Sequence, residues 1–327
     1  MTESNNPVLV TGGTGLIGGN VCRILAEQGR PVRALVRAPQ NAAPLSDLGV
    51  ELVTGDITDA ASVRAAIGGC SAVVHAAAVL GGTSQDIGVY REVNAAGTAA
   101  VFDAAAEEGQ RVVFTASLVV FDETRTLTER SAVQFDAADP YTVTKREAFL
   151  DARKRAENGQ DVVVVLPGAT YGPAPVTVNA MSATSFNRII RGAVNGKLKD
   201  YPSSITMPFS YSEDVAAALV SAIDNGRAGD FYLAFGHEDA LPGVDFFNLA
   251  CEFAGVGHRL NAVEPDPDDP EVQAAFGESM VRLMRLRRPT PAFDNTHTRE
   301  VLGYSPVPIE TAMRRTVDWL RAEGQIS

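Results

Sequence analysis

Short, valine-rich apolar runs alternate with helical stretches through the first half of this 327-residue chain. The runs read "PVLVTG", "PVRALVR", "GVELVTGD", "SAVVHAAA", "RVVFTAS" and "DVVVVLPGA". Between them lie an Ala/Leu-rich stretch ending at Gln28, a short helical stretch from Thr58 to Ile67, a long one from Asp86 to Glu108, and one opened by Asp139 and Pro140. The runs are nearly continuous in apolar character rather than alternating with polar residues, which marks strands buried on both faces. Strands of that kind separated by helices pack as a parallel sheet covered on both sides. The predicted fold is therefore α/β, a Rossmann-type doubly wound parallel sheet.

After Gly168 the pattern loosens. "TYGPAPVTVNAMSATS" and "RGAVNGKLKDYPSSITMP" read as irregular, "SEDVAAALVSAIDNG" as a helix with Ser212 as N-cap, and "DFYLAFG" as a further strand. The acidic, proline-rich "VEPDPDDPEVQ" reads as an exposed connection. The expected division is a dinucleotide-binding domain over 1–170 and 211–236, with a smaller, discontinuous C-terminal substrate lobe over 171–210 and 237–327. "AAFGESMVRLMRLRRP" fits either a lid over an apolar substrate or a helix packed on that lobe with a solvated basic face.

Composition narrows the function classes. A hydrophobic fraction of 45% suits a globular chain with a substantial core. The net charge of −12 argues against a nucleic-acid partner and against binding to an anionic membrane. Cys22, Cys70 and Cys251 are too few and too scattered for a disulfide framework, and the four histidines show no metal-ligand spacing, so no metal is expected. The opening "MTESNNPVLV" lacks a basic, apolar leader pattern, and "VVVVLPGA" is too short to span a bilayer. The expectation is a cytoplasmic protein acting on a small molecule.

"VLVTGGTGLIGGNV" places Gly12, Gly15 and Gly18 between a strand and a helix. Glycines there let backbone approach a pyrophosphate while the helix N-terminus supplies amide donors. At the end of the second run, Val36 stands where an NAD site expects an acid, and Arg37 follows. An arginine suits a ribose 2′-phosphate, so NADP(H) is expected over NAD(H), which remains possible. Asp56, at a strand's C-terminal end, is open to two readings: an acceptor for an adenine amino group, or a cap on the next turn. Ala76, Ala77 and Ala78 are small enough for a flat cofactor to lie close to the backbone.

The chain has seven tyrosines and only four lysines, yet "YTVTK" sets Tyr141 and Lys145 one helical turn apart. Ser117 ends the fifth run, so three groups of different chain origin converge on one sheet edge.

Together with "TGGTGLIG", "GDITD", "VNAAGT", "LPGATYGP", "FSYSEDVAAA" and "REVLGYSP", this order of motifs resembles the extended branch of the short-chain dehydrogenase/reductase superfamily over nearly the whole chain. The resemblance implies that Tyr141 is the general acid/base, that Lys145 holds the nicotinamide ribose and lowers the tyrosine pKa, and that Ser117 hydrogen-bonds the substrate oxygen. It also implies cofactor contacts from Thr14, Leu16, Ile17, Ile57, Thr115, Pro167, Gly168 and Thr170. Many members pair as homodimers through the two helices flanking the fifth strand, and a homodimer is expected here. Met207 stands where nucleotide-sugar enzymes carry an arginine, and Leu118 and Val119 stand where dehydratases carry an acid pair. The chain is thus more similar to ketone-reducing, hydroxysteroid- and dihydroflavonol-type members. Two alternatives stay open: a sugar or nucleotide-sugar epimerase or dehydratase holding NAD(P) tightly, and an NADP(H) sensor without turnover.

Overall fold

The computed structural model describes residues 6–84, 86–121, 126–135, 139–236, 241–276, 281, 284–285 and 293–327. Its centre is a parallel sheet of seven strands: β1 (Val8–Thr11), β2 (Val32–Val36), β3 (Glu51–Thr54), β4 (Ala72–His75), β5 (Arg111–Thr115), β6 (Val162–Pro167) and an edge strand, Phe231–Ala234. The order is β3-β2-β1-β4-β5-β6 with Phe231–Ala234 outermost beside β6. The chain reverses direction across the sheet between β1 and β4, where Thr11 stands level with His75. A crevice at the carboxyl ends of those strands is where sheets of this kind take ligands.

Each strand feeds both faces, as the apolar runs require. Leu9, Val73, Val112 and Phe114 pack with Phe102, Ala148 and Phe149 on one side. Val8, Val10, Val74 and Val113 pack with Val21, Leu25, Val215 and Leu219 on the other. The helices over the first side are α3 (Ala60–Ile67), α5 (Thr98–Glu107) and α6 (Pro140–Glu157). Over the second lie α1 (Leu16–Glu27), the short α2 (Ala43–Asp47) and the helix Ser212–Asn225.

A third core, built on Tyr171, Tyr201, Phe209, Phe246 and Met313, forms the lobe beyond the carboxyl edge. Phe209 and Phe246 stack there with centroids 3.6 Å apart. The two stretches read as irregular contain short strands: Ala169–Tyr171 pairs with Phe209–Tyr211, Asp200–Pro202 with Asn261–Val263, and Thr206–Met207 with Leu241–Pro242. Most of "AAFGESMVRLMRLRRP" lies outside the described residues.

Three local expectations need correction. Ser212 is not a cap but the first helical residue, and its hydroxyl donates instead to the Pro173 carbonyl at 2.9 Å. The short helix expected from Thr58 starts at Ala60, because the Asp59 carboxylate accepts from the Ala61 amide and caps it. The long helix before β5 is not uniform: α4 (Ile87–Tyr90) and α5 are joined by π-helical turns over Arg91–Gly97. Asp139 does start α6 as read, accepting from the Thr142 amide with Pro140 in the first turn.

Candidate active site

The glycine turn is built to present bare backbone. Gly12 has φ 73°, a conformation costly for other residues, and a side chain there would sit 2.6 Å from the Ala77 amide nitrogen. A Cβ on Gly18 would stand 2.3 Å from the Gly12 carbonyl oxygen, so α1 can approach the turn only with glycine there. The α1 N-terminus has no side-chain cap at Gly15 and no acidic residue in its first turn. Its leading amides are thus left for an anion. Thr14, Gly15, Leu16 and Ile17 are partly open at this turn, and so are Ala76, Ala77 and Ala78 across from it. The turn has the form of a pyrophosphate cradle, and these residues fit a dinucleotide.

The residues expected to carry chemistry come together at the same edge. The Tyr141 phenol stands beside the hydroxyl of Ser117, which is buried at the end of the β5 segment. Lys145 lies one turn along α6 from Tyr141. Its neighbours on the buried stripe are Ala148, Phe149 and Ala152, so an ammonium occupies a position that packing alone would give to an apolar residue. The Lys145 Nζ donates to the Thr115 carbonyl at 2.9 Å and sits 4.9 Å from the Phe114 ring centroid. Burial pulls the lysine down to about 7.

In the protein by itself the Tyr141 phenol is shifted upward. Burial pushes the Tyr141 phenol above its ordinary value, and the nearby Ser117 hydroxyl pulls it back only in part. Without a further positive group near it, the phenol stays protonated at neutral pH.

A set of buried side chains, only part of it anticipated, frames this centre. His75 is fully buried between Thr11 Oγ1, 2.6 Å from Nδ1, and Thr98 Oγ1, 2.9 Å from Nε2. The Thr98 hydroxyl donates to the Asn94 carbonyl, so it accepts from Nε2–H, and Thr11 donates to Nδ1. The Asn94 side chain accepts from the Val79 amide at 2.7 Å and donates to the Val79 carbonyl at 3.0 Å and to Thr144 Oγ1 at 3.3 Å. It ties the strand end after β4 to the residue next to Lys145. Asn94 lies in the motif "VNAAGT" and on the π-helical turns Arg91–Gly97.

Burial, followed by the Lys145 charge, holds the His75 imidazole down to about 3. The unfolded chain takes up this proton near pH 6.5 while the folded protein resists until about 3. Stability is therefore fully present above pH 6.5 and is lost as pH falls through that window, by up to ~1.4 kcal/mol per unit. Urea midpoints between pH 6.5 and 5 should fall more steeply for the wild type than for His75→Asn. Parallel slopes would contradict this.

The remaining expected residues are placed as follows. Asp56 commits Oδ1 to the Thr58 amide and hydroxyl, at 2.9 and 3.0 Å, so it caps its turn and keeps only Oδ2 for a ligand. Ile57 is buried against Gly97. Thr115 Oγ1 is buried without a hydrogen-bond partner among the described residues. Pro167 is buried at the end of β6, and Gly168 and Thr170 are partly open beyond it, with the Thr170 hydroxyl on the Gly168 carbonyl. Arg37 is exposed at the end of β2 and has no ion-pair partner among the described residues.

The chain is 28% identical to sterol demethylase protein B of Methylococcus capsulatus, over 97% of this chain and 99% of the relative. It is 30% identical to a putative dihydroflavonol 4-reductase of Synechocystis, over 72% of this chain and 69% of the relative. It is 26% identical to ceramide reductase of Caulobacter vibrioides, over 99% of this chain and 97% of the relative. Among solved structures, gox2253 superposes with a TM-score of 0.84 at 23% identity, covering 99% of this chain and all of that one. The dTDP-glucose 4,6-dehydratase of Bacillus anthracis, solved with NAD, superposes with a TM-score of 0.78 at 16% identity over 98% of each chain. Both of these show the fold. The model of the NAD-dependent epimerase/dehydratase family matches residues 8–234, and the chain belongs to that family as an NAD(P)-dependent oxidoreductase of the extended short-chain dehydrogenase/reductase type.

Proposed function

We propose that this protein is an NADP(H)-dependent carbonyl reductase or alcohol dehydrogenase acting on a small, relatively apolar substrate. The observation that carries the reading is a phenol standing beside the Ser117 hydroxyl at the carboxyl edge of the sheet, one turn from the buried Lys145. A nicotinamide cofactor, when bound, supplies or accepts a hydride at the carbonyl carbon. Ser117 holds the carbonyl oxygen, and Tyr141 gives it the proton that the new alkoxide needs, as a general acid. Lys145 holds the ribose and, when charged, eases loss of that proton from Tyr141. In the oxidative direction the same groups act in reverse, and Tyr141 must first lose its proton.

The substrate class rests on what is missing for sugar nucleotides. Met207 is buried in the lobe core, where a charged substitute would be stranded. Leu118 and Val119 supply no acid beside Ser117. The relatives named for a sterol, a ceramide and a dihydroflavonol point the same way. A panel of ketones and aldehydes offered with NADPH tests the reading. Net NADPH oxidation supports it, and an epimerase or a cofactor sensor would give none.

Cofactor preference rests on Arg37 and on Val36, which is buried where a carboxylate would repel a phosphate. NADPH should bind at least about tenfold tighter than NADH, a difference of ~1.4 kcal/mol. Arg37→Ala should erase most of that gap in nicotinamide fluorescence titrations. Equal affinities in the wild type would remove the preference.

A further inference from the structure

The segment after β4, Val79 to Ser84, crosses from the catalytic helix to the substrate lobe. Gly81 lies against the catalytic tyrosine: a Cβ there would stand 3.4 Å from Cγ and Cδ1 of the Tyr141 ring. Gly82, at φ 77°, faces the lobe, where a Cβ would stand 3.2 Å from Thr184 Cγ2. The loop therefore spans the entrance between Tyr141 and the lobe. The one large apolar side chain on its outer part is Leu80, which is 45% exposed.

Within the loop Thr83 closes a turn on the Leu80 carbonyl, from its hydroxyl at 2.7 Å and its amide at 3.3 Å, and a buried phenol backs that turn from behind. Tyr90 is 1% exposed. Its phenol oxygen accepts from the Thr83 amide at 3.1 Å and the Ser84 amide at 3.2 Å, and donates to the Leu80 carbonyl at 3.1 Å. Four residues on, Asn94 clamps both backbone groups of Val79. One helical run thus fixes the root of the loop with an amide and its tip with a phenol. Tyr90 has no part in the proton transfer described above, so this buried hydroxyl is unexplained by that chemistry.

We propose that Tyr90 positions the Val79–Ser84 loop as the wall that decides which carbonyl compounds reach Tyr141, and that Gly81 sets the room the wall leaves. The inference rests on the carbonyl-reductase reading. With glycine at the point nearest the ring and an apolar neighbour at Leu80, the wall admits a bulky apolar group beside the carbonyl. It offers no side-chain charge to a phosphorylated one. Alanine fits at Gly81, because 3.4 Å is ordinary contact and the φ there is not in the left-handed region.

The test uses the full chain and the smallest and largest ketones that the wild type reduces, in a series from acetone to 2-acetylnaphthalene. Gly81→Ala should lower kcat/KM for the largest ketone by about tenfold or more and leave the smallest nearly unchanged, the scale of one methyl misplaced in an apolar pocket. Tyr90→Phe removes one oxygen and no ring volume. It should raise KM for the largest ketone more than it lowers kcat, leave NADPH affinity unchanged, and speed hydrogen exchange at the Ser84 amide while α6 stays protected. Equal losses on both ketones, or none, would overturn the role of the wall. A wild type that reduces no ketone removes the reductase reading. Unchanged exchange at Ser84 in Tyr90→Phe overturns the inference by itself.

Discussion

Tyr141→Phe should fold normally, bind NADPH as the wild type does, and lose at least ~100-fold in kcat, the lower end of what a general acid or base contributes. The change removes one hydroxyl and keeps the ring, so contacts with Gly81 and the cap of α6 by Asp139 survive. What disappears is the proton donor beside Ser117. With its pKa at or above the ordinary phenol value the hydroxyl is protonated through neutral pH, so carbonyl reduction should hold its rate there, whereas alcohol oxidation should rise with pH as Tyr141 is deprotonated. A Phe variant that reduces its substrate at nearly the original rate would return Tyr141 and Lys145 to the status of neighbours on a helix.

Lys145→Met should lose activity yet gain stability, the opposite of what removing a structural contact does. The unfolded chain holds this proton up to about pH 10.5, whereas burial lets the folded protein hold it only to about 7. Between those values the unfolded state binds more protons, so wild-type stability rises with pH through the window. At pH 7 and below the whole cost of the buried ammonium is present, at ~1.4 kcal/mol for each unit of the shift. Methionine keeps the length and removes the charge; the Thr115 carbonyl loses its donor, which returns ~1 kcal/mol. The urea midpoint of the variant should exceed that of the wild type at pH 6, with the gap closing toward pH 10. Equal midpoints at pH 6 would show that Lys145 is not held against its charge. Stability given up at one position is a mark of a residue kept for function.

The central sheet was legible because its strands are buried on both faces and repeat one signal, runs such as "VVVVLP". The glycine turn was legible because its chemistry is local: strand, tight turn and helix start lie within one stretch. The lobe was not. Its strands are two or three residues long, too short for a period, and each finds its partner far along the chain, as Ala169–Tyr171 does at Phe209–Tyr211. Ser212 misled for a similar reason, since a hydroxyl that would cap its own helix was claimed by Pro173, 39 residues earlier. At the site, Tyr141, Lys145 and Ser117 could be read from spacing and order. The balance of burial against charge on the phenol could not, because it depends on how deep the two side chains sit. Tyr90 and Gly81 carried no signal at all: a tyrosine on an amphipathic helix and a glycine in a loop are ordinary until the loop is folded back onto the helix.

The most direct test of hydride transfer with Tyr141 as acid follows deuterium from NADPH labelled on the transferred position of C4 into the product of a reduced ketone. One deuterium on the carbinol carbon is expected for each NADPH consumed, with product formation all but lost in Tyr141→Phe. Product that forms without net NADPH consumption, or without deuterium on that carbon, would contradict it.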